Sequence, residues 1–259
     1  MKTVVMKFGG ASLATPAHFD AVADQIIHRT KEYPHVIVVV SAMGKTTDEL
    51  IRLAKQVNPS PPQREYDMLL TVGERISMSL LAMCLAKKNF EAISFTGSQS
   101  GIITSANHTE ARIIDVRPTR ISQSLESKKV VIVAGFQGVS EAKEITTLGR
   151  GGSDTTAVAL GVALQAEKVE FYKDVAGIYS EDPKKNPTAE LYSTVSYDKA
   201  IEISGGGARI LHQRCIFLAK NNQIPLHVLS FKQEFKQYGG TVIQGEGVRK
   251  TPPVYEEVM

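Results

Sequence analysis

Leu148-Gly149-Arg150-Gly151-Gly152-Ser153-Asp154-Thr155-Thr156, residues 148–156, runs directly into the apolar stretch Ala157-Val158-Ala159-Leu160-Gly161-Val162-Ala163-Leu164. This reads as a helix opening suited to an anion. Glycines let the backbone approach a ligand closely, and the helix dipole favours negative charge at that end. Ser153 or Asp154 is expected to cap the first amides, and Arg150 offers a planar fork for a carboxylate or phosphate. Taken alone, the stretch reads equally well as a glycine-rich turn before a capped, buried helix.

A second glycine turn weighs towards a ligand. Lys7-Phe8-Gly9-Gly10-Ala11-Ser12 follows the strand-like run Thr3-Val4-Val5-Met6 and precedes a helix opened by Thr15 and Pro16. Strand, glycine turn and helix in succession make a phosphate site. It is not a Walker A loop, because Lys7 precedes the glycines, nor a dinucleotide fingerprint, which needs a third glycine at the helix start. Lys7 is therefore expected to meet phosphate; a lysine at a strand end otherwise snorkels to the surface.

The 259 residues are 42% hydrophobic and 22% charged, enough for a large core in one or two closely packed units. A net charge of +3, with no basic run interleaved by aromatics, argues against nucleic acid. Cys84 and Cys215 share no metal-ligand spacing and read as reduced thiols of a cytoplasmic protein. No leader is read at the N-terminus, and no apolar run is read as long enough to span a membrane.

Short β-branched runs alternate with longer helical ones, which predicts an α/β fold: a mostly parallel open sheet sandwiched by helices in three αβα layers. Strands are expected at 3–8, 36–41, 92–95, 130–134, 144–147, 169–173 and 226–229, and helices at 16–31, 47–56, 65–88, 118–127, 154–166, 197–204 and 208–221. Residues 244–259 are polar and proline-bearing and read as a loosely held tail.

Open α/β sheets bind ligands beyond their strand ends, and several polar residues fall there. Ser41 and Thr47 bracket a turn after the second strand, where their hydroxyls either meet a ligand or cap the next helix. Glu74 is expected in the middle of the long 65–88 helix among leucines, where a carboxylate needs a cationic partner: a substrate ammonium, or a lysine or arginine such as Arg75. Residues 171–184 follow a strand with a turn, an aromatic and a basic residue and suit a nucleotide, Tyr179 lying on its base or ribose and Lys184 reaching the phosphates, unless the segment is a solvated loop with a core tyrosine. Gly205-Gly206-Gly207-Ala208-Arg209-Ile210-Leu211-His212 repeats glycines before a basic helix start; His212 reads as a capping or core residue.

With these pieces assembled, the chain resembles the aspartate kinases of the amino-acid kinase superfamily over residues 3–243. The resemblance is carried by Lys7-Phe8-Gly9-Gly10, Val40-Ser41-Ala42-Met43, Gly73-Glu74, Ala134-Gly135-Phe136-Gln137-Gly138, residues 146–154, Asp174-Val175-Ala176-Gly177-Ile178-Tyr179 and Gly207-Ala208-Arg209-Ile210-Leu211-His212. It implies phosphoryl transfer from ATP to the β-carboxylate of L-aspartate, the first step towards lysine, threonine and methionine, with Mg2+ bound through ATP rather than by a protein metal site. It implies Lys7 and Asp154 as catalytic residues. Ser41, Thr47, Glu74, Arg150, Gly151, Gly152 and Ser153 would hold the amino acid. Lys7, Phe8, Gly9, Gly10, Lys173, Asp174, Tyr179, Lys184, Arg209 and Ile210 would hold ATP. Residues 1–135 would form the amino-acid-binding part and 136–243 the ATP-binding part.

The sequence departs from the family's usual pattern at Ala11, where a threonine is common, at Lys173, where threonine or serine is common, and at Gln213, where a proline usually follows His212. The small regulatory domains usual in the family are not read in this chain. A homodimer is expected, with a separate regulatory subunit as an alternative. Two other readings stay open: a superfamily kinase with another carboxylate or phosphate acceptor, and a non-catalytic subunit that binds aspartate or nucleotide.

Overall fold

The computed structural model describes residues 2–183, 185–186, 188–206 and 210–256, with the backbone alone for Lys236. The first third of the chain forms β1 (Thr3–Phe8), α1 (Pro16–Thr30), β2 (His35–Val40), α2 (Thr46–Val57), α3 (Gln63–Leu70), α4 (Val72–Lys87) and β3 (Ala92–Phe95). There follow β4 (Ile102–Thr104), β5 (Ile113–Val116), α5 (Thr119–Glu126), β6 (Val130–Ala134), β7 (Gln137–Ser140), β8 (Ile145–Thr147) and α6 (Gly152–Ala163). The chain continues through β9 (Lys168–Lys173), β10 (Thr194–Val195), α7 (Tyr197–Gly205), α8 (Gln213–Asn222), β11 (Leu226–Ser230) and β12 (Thr241–Ile243).

The main sheet runs β10-β12-β11-β9-β1-β2-β6-β3, and every pairing is parallel except β11 with β12. Its central strands are buried on both faces, which is why β1, β2 and β6 read as nearly unbroken apolar runs rather than alternating ones. One core lies under α1 and α4, around Met6, Phe8, Ile26 and Leu81. The other lies under α5, α6 and α8, around Val5, Val133, Leu160 and Ile216. This is the predicted three-layer arrangement. α6 is apolar all round because it is buried all round. Gly161 lets it lie against β9, since a Cβ there would come within 2.6 Å of Val169 Cγ2.

On the face of β9 turned towards α1, the first of these cores carries a buried charge. Glu170 is fully buried and takes two bonds from the Arg29 guanidinium, 3.0 Å from Nε and 2.5 Å from Nη2. Lys168 Nζ lies 3.1 Å from the same carboxylate, and the Tyr172 hydroxyl donates to it at 2.9 Å. Every oxygen of this carboxylate is thus engaged, as burial requires.

The structure revises several sequence expectations. A second sheet, β5-β4-β7-β8, was foreseen only at residues 144–147. Its strands are three or four residues long, too short for periodicity to show. The helix expected over 65–88 is two helices, α3 and α4, joined at Thr71. There the Gln137 side-chain amide, on a distant strand, donates to the Thr71 carbonyl at 3.1 Å. By length and apolar composition alone residues 63–87 would be long enough to cross a membrane, contrary to the sequence reading. In the fold, however, this stretch buries Asp67, Glu74 and Ser77 on its inner side.

The helix expected from residue 208 begins at Gln213; the start assigned to Ala208 lies outside the described residues. His212 is its N-cap, and Nδ1 accepts the Arg214 amide, in keeping with the capping role expected of it. The segment read as a loose tail is docked. Asn222 of α8 holds the Val254 main chain on both sides, donating to its carbonyl at 2.7 Å and accepting its amide at 2.8 Å. Arg249 donates to the Glu167 carbonyl at 2.7 Å.

Candidate active site

β1, β9 and α6 bring three charged side chains together. Lys7 is the penultimate residue of β1, and Asp154 lies in the first turn of α6; Lys7 Nζ is 2.5 Å from Asp154 Oδ1. In the parallel register Phe8 pairs with Tyr172, so Lys173 stands one step further along β9, and its Nζ is 3.2 Å from Asp154 Oδ2. Two lysines share one carboxylate, leaving the cluster with an excess positive charge.

Burial would raise the Asp154 carboxyl, but Lys173 and Lys7 beside it hold it down at about 2. Burial lowers Lys7, opposed by the pull of Asp154 and reinforced by Lys173. Asp154 is therefore ionised at neutral pH and committed to the lysines. Neither Ser153 nor Asp154 caps α6 as expected from sequence: the N-cap is Gly151, in the left-handed region at φ +74°, and no side chain caps the helix.

Glu74 is not in mid-helix. It lies in the first turn of α4, where Gly73 allows the helix to press on Ala42 at the end of β2; a Cβ on Gly73 would lie 2.8 Å from Ala42 Cβ. Glu74 Oε1 accepts the Ala42 amide at 3.1 Å, whereas the buried Oε2 has no partner. No ion pair joins Glu74 to Arg75 among the described residues. Burial pushes the Glu74 carboxyl up to about 7, against the Ala42 hydrogen bond and the charge of Lys7.

These groups surround one cleft of about 540 Å³. Its lining includes Lys7, Gly10, Ser41, Thr47 and Glu74 together with Arg150, Gly151, Gly152, Ser153 and Asp154. Arg150 is exposed on the loop between β8 and α6 and forms no ion pair among the described residues. Gly10 is required by space, since a Cβ would approach the Ala42 carbonyl oxygen to 2.7 Å. Ser41 and Thr47 line the cleft, and α2 has no side-chain cap.

The other expected nucleotide residues are spread more widely. The Phe8 ring is buried and stacks on Tyr172 with centroids 4.5 Å apart, so only its main chain can face a ligand. Gly9 borders Lys7 Nζ, which would lie 3.8 Å from a Cβ there. Asp174 is exposed, Tyr179 is half-buried and bridges to Leu191 in the loop after β9, and Ile210 is half-buried; none of the three lines the cleft. Lys184 and Arg209 lie outside the described residues.

Sequence reasoning missed Tyr66, Thr109 and Thr147, which also line the cleft, and the buried Asp67 behind them. Asp67 accepts the Thr109 amide at 3.1 Å, the Thr147 hydroxyl at 2.5 Å and a bond with His108 Nδ1 at 2.7 Å. It thereby ties α3 to β8 and to the turn that carries Thr109. An acidic residue on a helix carries no sequence signal that a strand and a turn of another sheet will converge on it.

Among the described residues no group of three or more His, Cys, Asp or Glu side chains could hold a metal ion. The site thus offers cations and amides for phosphate, one unsatisfied carboxylate and one free guanidinium.

Residues 2–230 match the Amino acid kinase family, and the chain belongs to that family. Within it, the chain is 48% identical over 246 residues to the aspartokinase of Mycolicibacterium smegmatis, covering 95% of this chain and 58% of that protein. It is similar to the crystal structure of aspartate kinase from Synechocystis, with a TM-score of 0.85 at 42% identity, covering 98% of this chain and 42% of the other. E. coli aspartokinase III, solved in complex with aspartate and ADP, gives a TM-score of 0.84 at 25% identity, covering 95% of this chain and 65% of the other. The chain spans about three fifths of the length of the curated relatives it matches.

Proposed function

We propose that this chain is the catalytic part of an aspartate kinase, transferring the γ-phosphoryl group of ATP to the β-carboxylate of L-aspartate to give 4-phospho-L-aspartate and ADP. The observation that carries this reading is the pairing of Glu74, buried with an unpartnered oxygen, with Arg150, unpaired on the same cleft. One suits the ammonium of an α-amino acid and the other its α-carboxylate. Lys7 and Asp154 line the same cleft, and with Lys173 on the second Asp154 oxygen they would offer a phosphoryl group a cationic seat.

The attacking carboxylate is already ionised at neutral pH, so no general base is needed, and catalysis rests on alignment and charge neutralisation. A carboxylate oxygen attacks the γ-phosphorus, the bond to the β,γ-bridging oxygen breaks, and ADP leaves with the electron pair. Lys7, with the amides of Gly9, Gly10, Gly151 and Gly152, would stabilise the charge that grows on the transferred group. Mg2+ carried on the ATP oxygens would neutralise the remaining phosphate charge. Lys173, Asp174, Tyr179 and Ile210 would hold the nucleotide; residues 1–135 would serve mainly the acceptor and 136–243 mainly ATP, with Arg150 reaching across to the acceptor and Lys7 to the phosphate. The compartment would be the cytoplasm.

Trapping the acyl phosphate with hydroxylamine tests the assignment. Hydroxamate should form with ATP, Mg2+ and L-aspartate, and not with glutamate or acetylglutamate; equal signal from those acceptors, or ADP release with uridylate, would replace aspartate as the substrate.

The partner expected beyond substrates is a second copy of the chain. Val72, Ile76, Leu80 and Met83 recur at helical spacing on α4 and are all exposed, an apolar stripe that water disfavours. Light scattering should give twice the chain mass, and Ile76→Asp should halve it; a monomeric parent protein would refute the homodimer.

A further inference from the structure

The loop that carries Arg150 is held from behind by α8. Arg214, in the first turn of that helix, donates from Nη1 to the Leu148 carbonyl and from Nη2 to the Ala111 carbonyl at 2.7 Å. Leu148 is the last residue before Gly149-Arg150-Gly151-Gly152, and the Ala111 amide donates to the Thr147 carbonyl at 2.9 Å. One guanidinium therefore ties together the two chain segments, around 109–111 and 147–152, that supply Thr109 and Arg150 to the cleft.

That guanidinium is in turn held by Glu256. Its Nε donates to Glu256 Oε1, and Nη2 donates to Oε2 at 2.6 Å. Both side chains are nearly buried, 10% and 11% exposed. Glu256 is anchored through its amide, which donates to the Ile113 carbonyl at 3.0 Å, and through Oε2, which accepts the Ile113 amide at 2.9 Å. Arg112 Nη1 approaches the same carboxylate at 3.7 Å. Asn222 grips the main chain at Val254, two residues earlier.

The loop needs such props. Gly149 and Gly151 both lie in the left-handed region, at φ +70° and +74°, so the loop backbone has little conformational preference of its own. Its placement depends on the points where it is tied: the Leu148 amide to the Phe136 carbonyl, the Leu148 carbonyl to Arg214, and Gly151 against the His212 ring. Without Glu256, Arg214 is a buried cation lacking its counter-charge, and it satisfies itself by turning towards water, leaving two carbonyls unmatched.

We propose that Arg214, oriented by Glu256, is a positioning residue that sets the Arg150 loop for the acceptor's α-carboxylate, so that acceptor affinity depends on whether residues 254–256 are docked. This rests on the aspartate kinase reading for its kinetic consequence and not for its structural one.

The test compares Glu256→Gln, Glu256→Ala and Arg214→Lys with the parent chain. Each should raise KM for aspartate by about tenfold or more while moving KM for ATP less than about twofold, since a misplaced clamp penalises the group it positions. Arg214→Lys keeps the charge and lacks the fork, so it should behave as a loss. Asn222→Ala, which loosens the segment without touching Arg214, should shift the aspartate KM in the same direction. Amide exchange at residues 149–153, followed without substrate, should quicken in Glu256→Ala while the core of the main sheet keeps its protection. Parallel rises in both KM values, or a lower melting temperature with no selective loop exchange, would overturn the proposal by showing a general structural role. If the parent protein turns over no aspartate, the functional reading fails, whereas loop exchange still decides the clamp.

Discussion

Lys7→Ala is expected to lower kcat with ATP and aspartate by about 10²-fold or more while the protein stays folded. Lys7 is the buried cation at the end of β1, and in the proposed mechanism it meets the phosphoryl oxygens as charge develops. Its removal is tolerated structurally because Asp154 keeps Lys173 at 3.2 Å as a counter-charge. Asp154→Asn should separate the two roles. It leaves Lys7 and Lys173 crowded together without a carboxylate, so activity and stability should fall together, the latter by about 3 kcal/mol, in the range for breaking a buried ion pair. Steady-state kinetics beside urea unfolding of both variants makes the comparison. Near-normal kcat in Lys7→Ala would remove Lys7 from the chemistry, and equal unfolding midpoints for the two variants would contradict the shared-carboxylate account.

Glu74→Gln should raise KM for aspartate by about 10²-fold, the scale of losing one partner of a desolvated charge pair, with a much smaller effect on KM for ATP. Its pH signature is more specific. Burial lifts the Glu74 carboxyl from 4.5 to about 7, so in the free protein it is largely neutral below that pH and ionised above it. An ammonium binds the ionised form. Aspartate affinity should therefore weaken as pH falls from 8 to 6, approaching about tenfold per pH unit on the acid side. Stability of the free protein runs the other way. A raised folded-state value means that the Glu74 contribution is fully present below 4.5 and lost as pH rises through 7, by about 3 kcal/mol at most. Both dependences should disappear in Glu74→Gln. Calorimetric titration at pH 6, 7 and 8 measures the first, and an affinity in the parent protein that stays flat across that range would sink the ammonium assignment.

The parts of the fold that were legible in the sequence are those set by local composition. β1, β3 and β6 begin and end where their apolar runs do. The helices between the long strands lie close to their expected ranges, because burial on one or both faces imposes a continuous pattern. Of the small sheet only β8 was legible, since its other strands are as short and carry no period. α3 and α4 part at Thr71, whose carbonyl is met by Gln137, and a bond between residues so far apart leaves no trace in a local window.

For the candidate site, residue types were legible and relationships were not. Lys7, Glu74, Arg150 and Asp154 stood out because a charge beside glycines or within an apolar run must have a purpose or a partner. That Asp154 belongs to two lysines rather than to the helix cap follows from the β1–β9 register, which carries Lys173 to its second oxygen. That Glu74 keeps one oxygen free follows from where α4 begins against Ala42. Chain composition by itself determined the α/β class, the order of the long elements and the two glycine turns, because backbone propensity and hydrophobic periodicity act over a few neighbouring residues. Only the tertiary structure decided the ion-pair partners, the small sheet that hangs the Arg150 loop, and the hold of Glu256 on Arg214, because those are contacts between residues distant in the chain, and burial of charge is settled by whatever the folded chain places beside it.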